Sequence, residues 1–232
     1  MYLRQNSKMK KAGVRTYNFG LPAFRSADGM VTCPNAKHCV KECYARAGRY
    51  HMPVVKAKQE SSLRLTQNTQ AFDVVMCEEI STLLERANKK GEQLAIRIHD
   101  SGDFYSRRYF ADWLLLAANF PDVVFYGYTK EVELAKELTS GMGAFPPNFR
   151  LVFSYGGKND ELIGPRDRHS LVFPDRESIK AAGYVDATDD DTLAWKAKSN
   201  KIGLAYRGRK KFVDTPWAKV YQSVINNQTR SN

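Results

Sequence analysis

The sequence predicts an α/β fold, namely a partial β/α barrel with parallel strands and a carboxyl-terminal elaboration. Short apolar runs alternate with helical stretches along the chain, which is the pattern of βαβ units and a parallel sheet. The chain has 232 residues. It offers only about five or six candidate strands, whereas a closed barrel uses about eight in about 250 residues. We therefore expect an incomplete barrel, or else an open α/β sheet, and not a closed barrel.

We expect one domain, residues 1–232, because a chain of this length ordinarily builds a single core. Its amino-terminal arm (1–15) is basic, and the partial barrel core (16–182) contains a cysteine loop (33–43). The remaining residues (183–232) are expected to form a basic extension packed on that core.

The individual elements follow from apolar periodicity and from cap residues. In the helix predicted at 106–119, Phe110, Trp113 and Ala117 fall on one face, and Ser106 is placed to cap the first turn. In chain order, strands are predicted at 16–24, 94–99, 123–128, 151–155, 170–173 and 202–206. Helices are predicted at 54–64, 72–88, 106–119 and 131–138.

The chain is basic, with a formal net charge of +11 and a pI near 9.5. Such a charge favours a polyanionic partner, and we expect DNA or RNA to bind through the basic termini. No apolar run is long enough for a transmembrane helix, and the first residues lack a secretory signal, so we expect a cytoplasmic protein without membrane contact. An acidic loop is expected at 186–191, and within it 189–191 is expected to be a solvated turn and not a calcium loop. The basic residues at the two ends are Arg4, Lys8, Lys10, Lys11, Arg15, Arg207, Arg209, Lys210 and Lys211.

Three of the four cysteines lie in one short loop, at Cys33, Cys39 and Cys43. Thiols stay reduced in the cytoplasm, so clustered cysteines there are more often metal ligands than disulfides. An iron–sulfur cluster can be held by three thiolates, whereas a structural zinc ion needs a fourth ligand. We favour the cluster, and zinc or unliganded cysteines stay open as alternatives. The candidate fourth ligands for zinc are His38, His51 and Cys77.

Polar residues follow two predicted strands, at the edge where parallel α/β sheets collect functional groups. His99, Asp100, Ser101 and Asp103 follow one strand, and Lys130 follows the next. We expect these residues to share one cleft with the cysteine loop, with His99, Asp100 and Lys130 as candidate catalytic groups. The alternatives are a hydrogen-bonded core histidine and acids that shape a turn or cap a helix.

The Thr-Cys-Pro-Asn-Ala string at Thr32, the Cys-Tyr-Ala string at Cys43 and the His-Asp-Ser-Gly-Asp string at His99 resemble a bacteriophage family called gene product eighty-eight. The resemblance runs over about residues 13–155 and continues more weakly to 206. It implies a phage protein and no particular activity.

The same strings resemble, more distantly, the radical S-adenosylmethionine superfamily, which carries a three-cysteine 4Fe-4S cluster on a barrel loop. This resemblance implies that Cys33, Cys39 and Cys43 ligate a 4Fe-4S cluster whose open iron is chelated by S-adenosylmethionine. The cysteine spacing here is longer than is usual in that superfamily. The residues that would contact S-adenosylmethionine are Tyr44, Arg97, Ser101, Gly102 and Asp103, with Lys130 as an alternative to Arg97 for its carboxylate.

Two functions follow. The first is a radical S-adenosylmethionine-like iron–sulfur enzyme that modifies a nucleic acid or a nucleotide. The alternative is a non-catalytic iron–sulfur protein that binds DNA or RNA, with the cluster in a structural or redox-sensing role. The first requires Asp103 and Lys130 to face the cysteines, and the second does not.

Overall fold

A computed structural model of the chain describes residues 1–5, 10–11 and 13–230. The strands are β1 (Lys10–Lys11), β2 (Val14–Phe19), β3 (Gln93–Ile98), β4 (Val124–Thr129), β5 (Phe149–Ser154), β6 (His169–Phe173), β7 (Val185–Asp186) and β8 (Lys201–Ala205). The α-helices are α1 (Pro53–Thr66), α2 (Thr69–Asn88), α3 (Arg107–Asn119), α4 (Val132–Met142), α5 (Arg176–Ala181), α6 (Leu193–Lys196) and α7 (Pro216–Arg230). Every predicted element has a counterpart, whereas β1, β7 and helices α5 to α7 match no predicted element.

The eight strands form one sheet in the order β1-β2-β3-β4-β5-β6-β8-β7. β1 is antiparallel to β2, and all other neighbours are parallel. The seven parallel strands curl into a half-barrel with flanking helices, so the predicted partial β/α barrel is confirmed. With β7, the parallel strands number seven, whereas five or six strands were expected. β7 was not predicted because two residues are too few to show periodicity in a sequence.

One face of the sheet, the outer face, packs against helices α1 to α4 and carries the main apolar core. Phe19 of β2 and Ile98 of β3 lie in this core with Phe72 of α2 and Trp113 of α3. The Trp113 ring meets Phe72 and Phe19 edge to face, with centroids 5.3 and 5.4 Å apart. As predicted, Ser106 caps α3 by accepting a hydrogen bond from the N–H of its third residue. This core fixes the ends of β2, β3 and β4 relative to one another.

The opposite face, the inner face, lies inside the half-barrel and is partly polar. The parallel register places Asn18, Arg97 and Tyr126 side by side on β2, β3 and β4. A smaller apolar cluster that includes Ala95 and Ile202 is covered by α6. Charged and apolar groups are therefore buried together inside the half-barrel.

The residues after 182 complete the sheet with β7 and β8 and then cover its outer face with α7. Trp217, Val220 and Val224 of α7 pack against Leu171 and Phe173 of β6. Among the helices of the described ranges, none combines the length and the apolar character needed to cross a bilayer.

Candidate functional site

The cysteine loop lies between β2 and α1, beside the carboxyl ends of the parallel strands. Cys33, Cys39 and Cys43 are free thiols and half-buried. Burial raises the pKa of Cys33 and of Cys43, and the charges of the three sulfurs act on one another. Asp103 further raises the pKa of Cys33, whereas the positive charge of Lys130 acts on Cys43 in the opposite sense. Cys33 thus lies within range of the charge of this acid, and Cys43 within range of the charge of this lysine.

Hydrogen bonds tie the cysteine loop to the ends of β4 and β5. The backbone N–H and the side-chain amide of Asn35 donate to the Glu131 carboxylate at 3.0 and 2.6 Å. The N–H of His38 donates to the carbonyl of Gly156 at 2.9 Å. Burial, with a contribution from the neighbouring Asp103, raises the pKa of Glu131 to about 8. Glu131 was not predicted as a site residue, although it follows Lys130 directly at a strand end.

Asp103 points into the protein and joins the end of β3 to the end of β4. Its carboxylate accepts hydrogen bonds from the N–H of Phe104 at 2.8 Å, the hydroxyl of Thr129 at 2.5 Å and the N–H of Lys130 at 2.9 Å. Burial raises the pKa of Asp103, and these donors oppose the rise. Its oxygens are thus engaged by the protein's own donors.

Lys130 spans from β4 to β5 under the cysteine loop. Its ammonium group donates to the carbonyl of Ser154 at 3.1 Å, to the Ser154 hydroxyl at 2.9 Å and to the carbonyl of Tyr155 at 3.2 Å. It also lies 5.8 Å from the centroid of the Trp217 ring. The hydrogen bonds of the ammonium group thus go to neutral acceptors among the described residues, and its positive charge also acts on the Asp103 and Asp160 carboxyls.

His99 lies in the apolar core. Its Nε2 is 2.8 Å from the hydroxyl of Tyr109, and its ring meets Phe104 edge to face. Burial, with a smaller effect of Arg97, lowers its pKa to about 3, so the imidazole is neutral at ordinary pH. Its Nδ1 is buried without a hydrogen-bond partner, and its backbone is left-handed, with φ of 67°. This placement matches the alternative of a core histidine.

Ser101 and Gly102 shape the turn between His99 and Asp103. The carbonyl of Ser101 accepts a hydrogen bond from the N–H of Leu21 at 2.8 Å. The Ser101 hydroxyl is buried and has no hydrogen-bond partner among the described residues. Gly102 has φ of 86°, and a Cβ there would lie 2.5 Å from the Cβ of Leu21. The turn therefore needs glycine for both backbone conformation and space.

Arg97 and Asp100 lie at the mouth of the half-barrel, below Tyr44. The Arg97 guanidinium pairs with Asp191 at 3.2 Å and donates to the Tyr44 hydroxyl at 3.4 Å. The Tyr44 hydroxyl itself donates to the carbonyl of Asp100, although the ring is 60% exposed. Tyr50 donates to the Asp100 carboxylate at 3.1 Å, and burial raises the pKa of that carboxyl. Asp191, expected in a solvated turn, instead neutralises a cation inside the half-barrel.

The structure thus brings together some of the predicted residues and separates others. Asp103 and Lys130 adjoin the cysteines, and Tyr44, Arg97 and Asp100 form a second group at the mouth. His99 lies in the core behind both groups. The residues missed by the sequence interpretation are Tyr50, Glu131, Asp191 and Tyr126, whose hydroxyl donates to the Asp191 carboxylate at 2.6 Å.

Several cations of the basic termini are paired with acids, which reduces the charge they can offer to a nucleic acid. Lys8 lies outside the described residues. The pairs are Arg15 with Glu92, Arg207 with Asp189, and Lys210 with Glu42 at 2.7 Å.

Comparison with known proteins identifies the family. The family model described as Gene product 88 matches residues 1–219. The chain belongs to this family. The phage family expected from the cysteine and His-Asp-Ser-Gly-Asp strings is therefore confirmed.

Two relatives of the Gene product 88 family are similar over half of the chain. The Gene 88 protein of Mycobacterium phage D29 is 31% identical over 116 residues, which cover 49% of this chain and 47% of that protein. The Gene 88 protein of Mycobacterium phage L5 is 29% identical over the same lengths. The chain thus spans about half the length of the curated relatives that it matches. No solved structure matches the chain.

Proposed function

We propose that the protein is an iron–sulfur protein whose cluster is held by Cys33, Cys39 and Cys43. The observation that carries the proposal is the position of three free thiols on one loop, beside the carboxyl ends of the parallel strands and within range of one another's charge. Disulfide pairing would leave one of the three unpaired, whereas thiolates are the ordinary ligands of iron–sulfur clusters.

The number of clustered thiols favours a cluster over a single zinc ion, because a structural zinc ion needs a fourth protein ligand and a cluster can be held by three thiolates. Among the described residues, no three His, Cys, Asp or Glu side chains are grouped closely enough to hold one metal ion. Three thiolates also leave one iron of a four-iron cluster open to another ligand.

Burial raises the pKa of Cys33 and Cys43, and Asp103 raises that of Cys33, whereas Lys130 is a positive charge that favours an anionic metal centre. Lys130 places an ammonium group close enough to act on Cys43, and among the described residues its hydrogen bonds go to neutral acceptors. Positive charge next to thiolates stabilises their ionised form, which is the form that binds metal. When bound, such a cluster supplies one-electron transfer at the mouth of the half-barrel.

Purification under anaerobic conditions, with iron and acid-labile sulfide measured for matched variants, tests the proposal. We expect Cys33→Ala, Cys39→Ala and Cys43→Ala to lose most of the iron and the visible absorption of the wild type. Cys77→Ala is the control, because Cys77 lies on α2 and contacts Asp73 at 3.7 Å. Full iron content in the three loop variants, or equal loss in Cys77→Ala, would contradict the proposal.

S-adenosylmethionine binding is a separate prediction that the same preparation tests. Asp103 is engaged by three internal donors, and Arg97 pairs with Asp191 at 3.2 Å. A change in the absorption spectrum of the iron-loaded protein on titration with S-adenosylmethionine would support the radical enzyme. An unchanged spectrum would favour the structural or redox-sensing alternative while leaving the cluster proposal intact.

A further inference from the structure

A cleft lies next to the segment that joins the cysteine loop to α1. It is bounded by that segment, the segment after β2 and the first two turns of α1. Its volume is about 400 Å³, within the range of about 300–1,000 Å³ that is typical of small-molecule sites. Its lining includes the charged, histidine and tyrosine side chains of Arg25, Arg46, Tyr50, His51, Lys56 and Glu60.

The cleft is rich in positive charge that the protein does not neutralise. Arg25 donates to the carbonyl of Gly29 at 3.0 Å, and Arg46 donates to the carbonyl of Val40 at 3.1 Å. Within the described part of the chain, none of Arg25, Arg46 and Lys56 forms an ion pair with a carboxylate. This differs from the basic termini, where acids pair with several of the cations.

One acid lines the cleft, and it is already engaged. The carboxylate of Glu60 accepts a hydrogen bond from the backbone N–H of Ala27 at 2.8 Å. Three permanent cations and a histidine therefore face a single carboxylate across a concave surface. A concave surface of one sign focuses the electrostatic potential and concentrates ions of the opposite sign.

The two arginines of the cleft favour a phosphate group over other anions. Arginine offers several N–H donors in one plane, which match the oxygens of phosphate. Tyr50 adds an aromatic wall, and its ring lies 5.8 Å from that of Tyr44.

We propose that this cleft binds a phosphate-bearing ligand of nucleotide size. The phosphate contacts Arg25, Arg46 and Lys56, and the rest of the ligand lies towards Tyr50. The site uses none of the three loop cysteines, so the proposal does not depend on the iron–sulfur cluster and can succeed or fail without it.

Calorimetric titration of the full chain with AMP, adenosine and a short single-stranded oligonucleotide tests this proposal. We expect AMP to bind and adenosine to bind at least about tenfold more weakly, since a charge-assisted contact to phosphate is worth at least a factor of about ten. Arg25→Ala and Lys56→Ala should each weaken AMP binding about tenfold. Added salt should weaken it as well.

Arg86→Ala is the matched control, because Arg86 is an exposed cation on α2, outside the cleft. Equal weakening in Arg86→Ala, equal binding of adenosine and AMP, or no AMP binding at millimolar concentration would overturn the proposal. Binding of the oligonucleotide without binding of AMP would also overturn the proposal, because the cations of the cleft would then bind a nucleic-acid polymer and not a nucleotide. Iron content measured on the same variants separates failure of this site from failure of the cluster.

Discussion

Asp103 is the buried carboxylate that holds the end of β3 against the end of β4, and its removal tests how the site is supported. In Asp103→Ala, the N–H groups of Phe104 and Lys130 lose their acceptor, and so does the hydroxyl of Thr129. Each buried donor left without a partner costs about 1–3 kcal/mol. The hydroxyl can rotate to another acceptor, but the two N–H groups cannot, so we expect a loss of about 2–6 kcal/mol in the free energy of unfolding.

Urea denaturation followed by circular dichroism measures this loss. Asp103→Asn keeps one acceptor oxygen, but its NH₂ group faces one of the two N–H groups and cannot accept from it. Its free energy of unfolding should therefore fall by about half as much as that of Asp103→Ala. Asp122→Ala is the control, because Asp122 is exposed in a turn, and its unfolding free energy should change by less than about 0.5 kcal/mol. A change below about 1 kcal/mol in Asp103→Ala would refute the role assigned to these hydrogen bonds.

Three further predictions use the same denaturation assay. Gly102→Ala should destabilise the fold by about 1–3 kcal/mol more than Gly29→Ala. Both glycines have positive φ, but only at Gly102 would a Cβ meet another atom within 4 Å, so equal losses would contradict the predicted clash. Because burial raises the pKa of Glu131 to about 8, well above its ordinary value of 4.5, the folded protein retains a proton that the unfolded chain releases. Stability should therefore fall as pH rises from about 5 to 8, and this fall should be smaller in Glu131→Gln; parallel slopes would contradict the assignment. Trp217→Ala should cost about 3–5 kcal/mol, since this side chain is buried against the sheet, and a loss under about 1 kcal/mol would contradict the packing of α7.

The strands and helices of the core could be predicted because their patterns are local. The alternation around β3 and the periodicity of α3 reflect which face of each element is buried. Ser106 indicates the start of α3 because its side chain caps the N–H of Tyr109, three residues later. The last helix could also have been found, since Trp217, Val220 and Val224 recur at helical spacing. The basic residues at 207–211, just before this helix, instead favoured the interpretation of the carboxyl-terminal segment as an extension that binds nucleic acid.

The orientation of the polar residues could not be predicted, because their partners come from distant parts of the chain. Arg97 and Asp191 meet across the half-barrel, and nothing in either local sequence links them. Asp103 and His99 both follow the same strand. The Asp103 side chain bonds to the end of β4, whereas the His99 side chain lies in the core. A strand end thus predicts where functional groups collect and does not predict which side chains remain accessible.

The metal content of anaerobically purified wild-type protein tests the central claim most directly. Iron and acid-labile sulfide should be present in a ratio near one to one, at about four of each per chain for a 4Fe-4S cluster, with visible absorption that bleaches on reduction. Stoichiometric zinc, or no metal after reconstitution with iron and sulfide, would contradict the assignment of Cys33, Cys39 and Cys43 as cluster ligands.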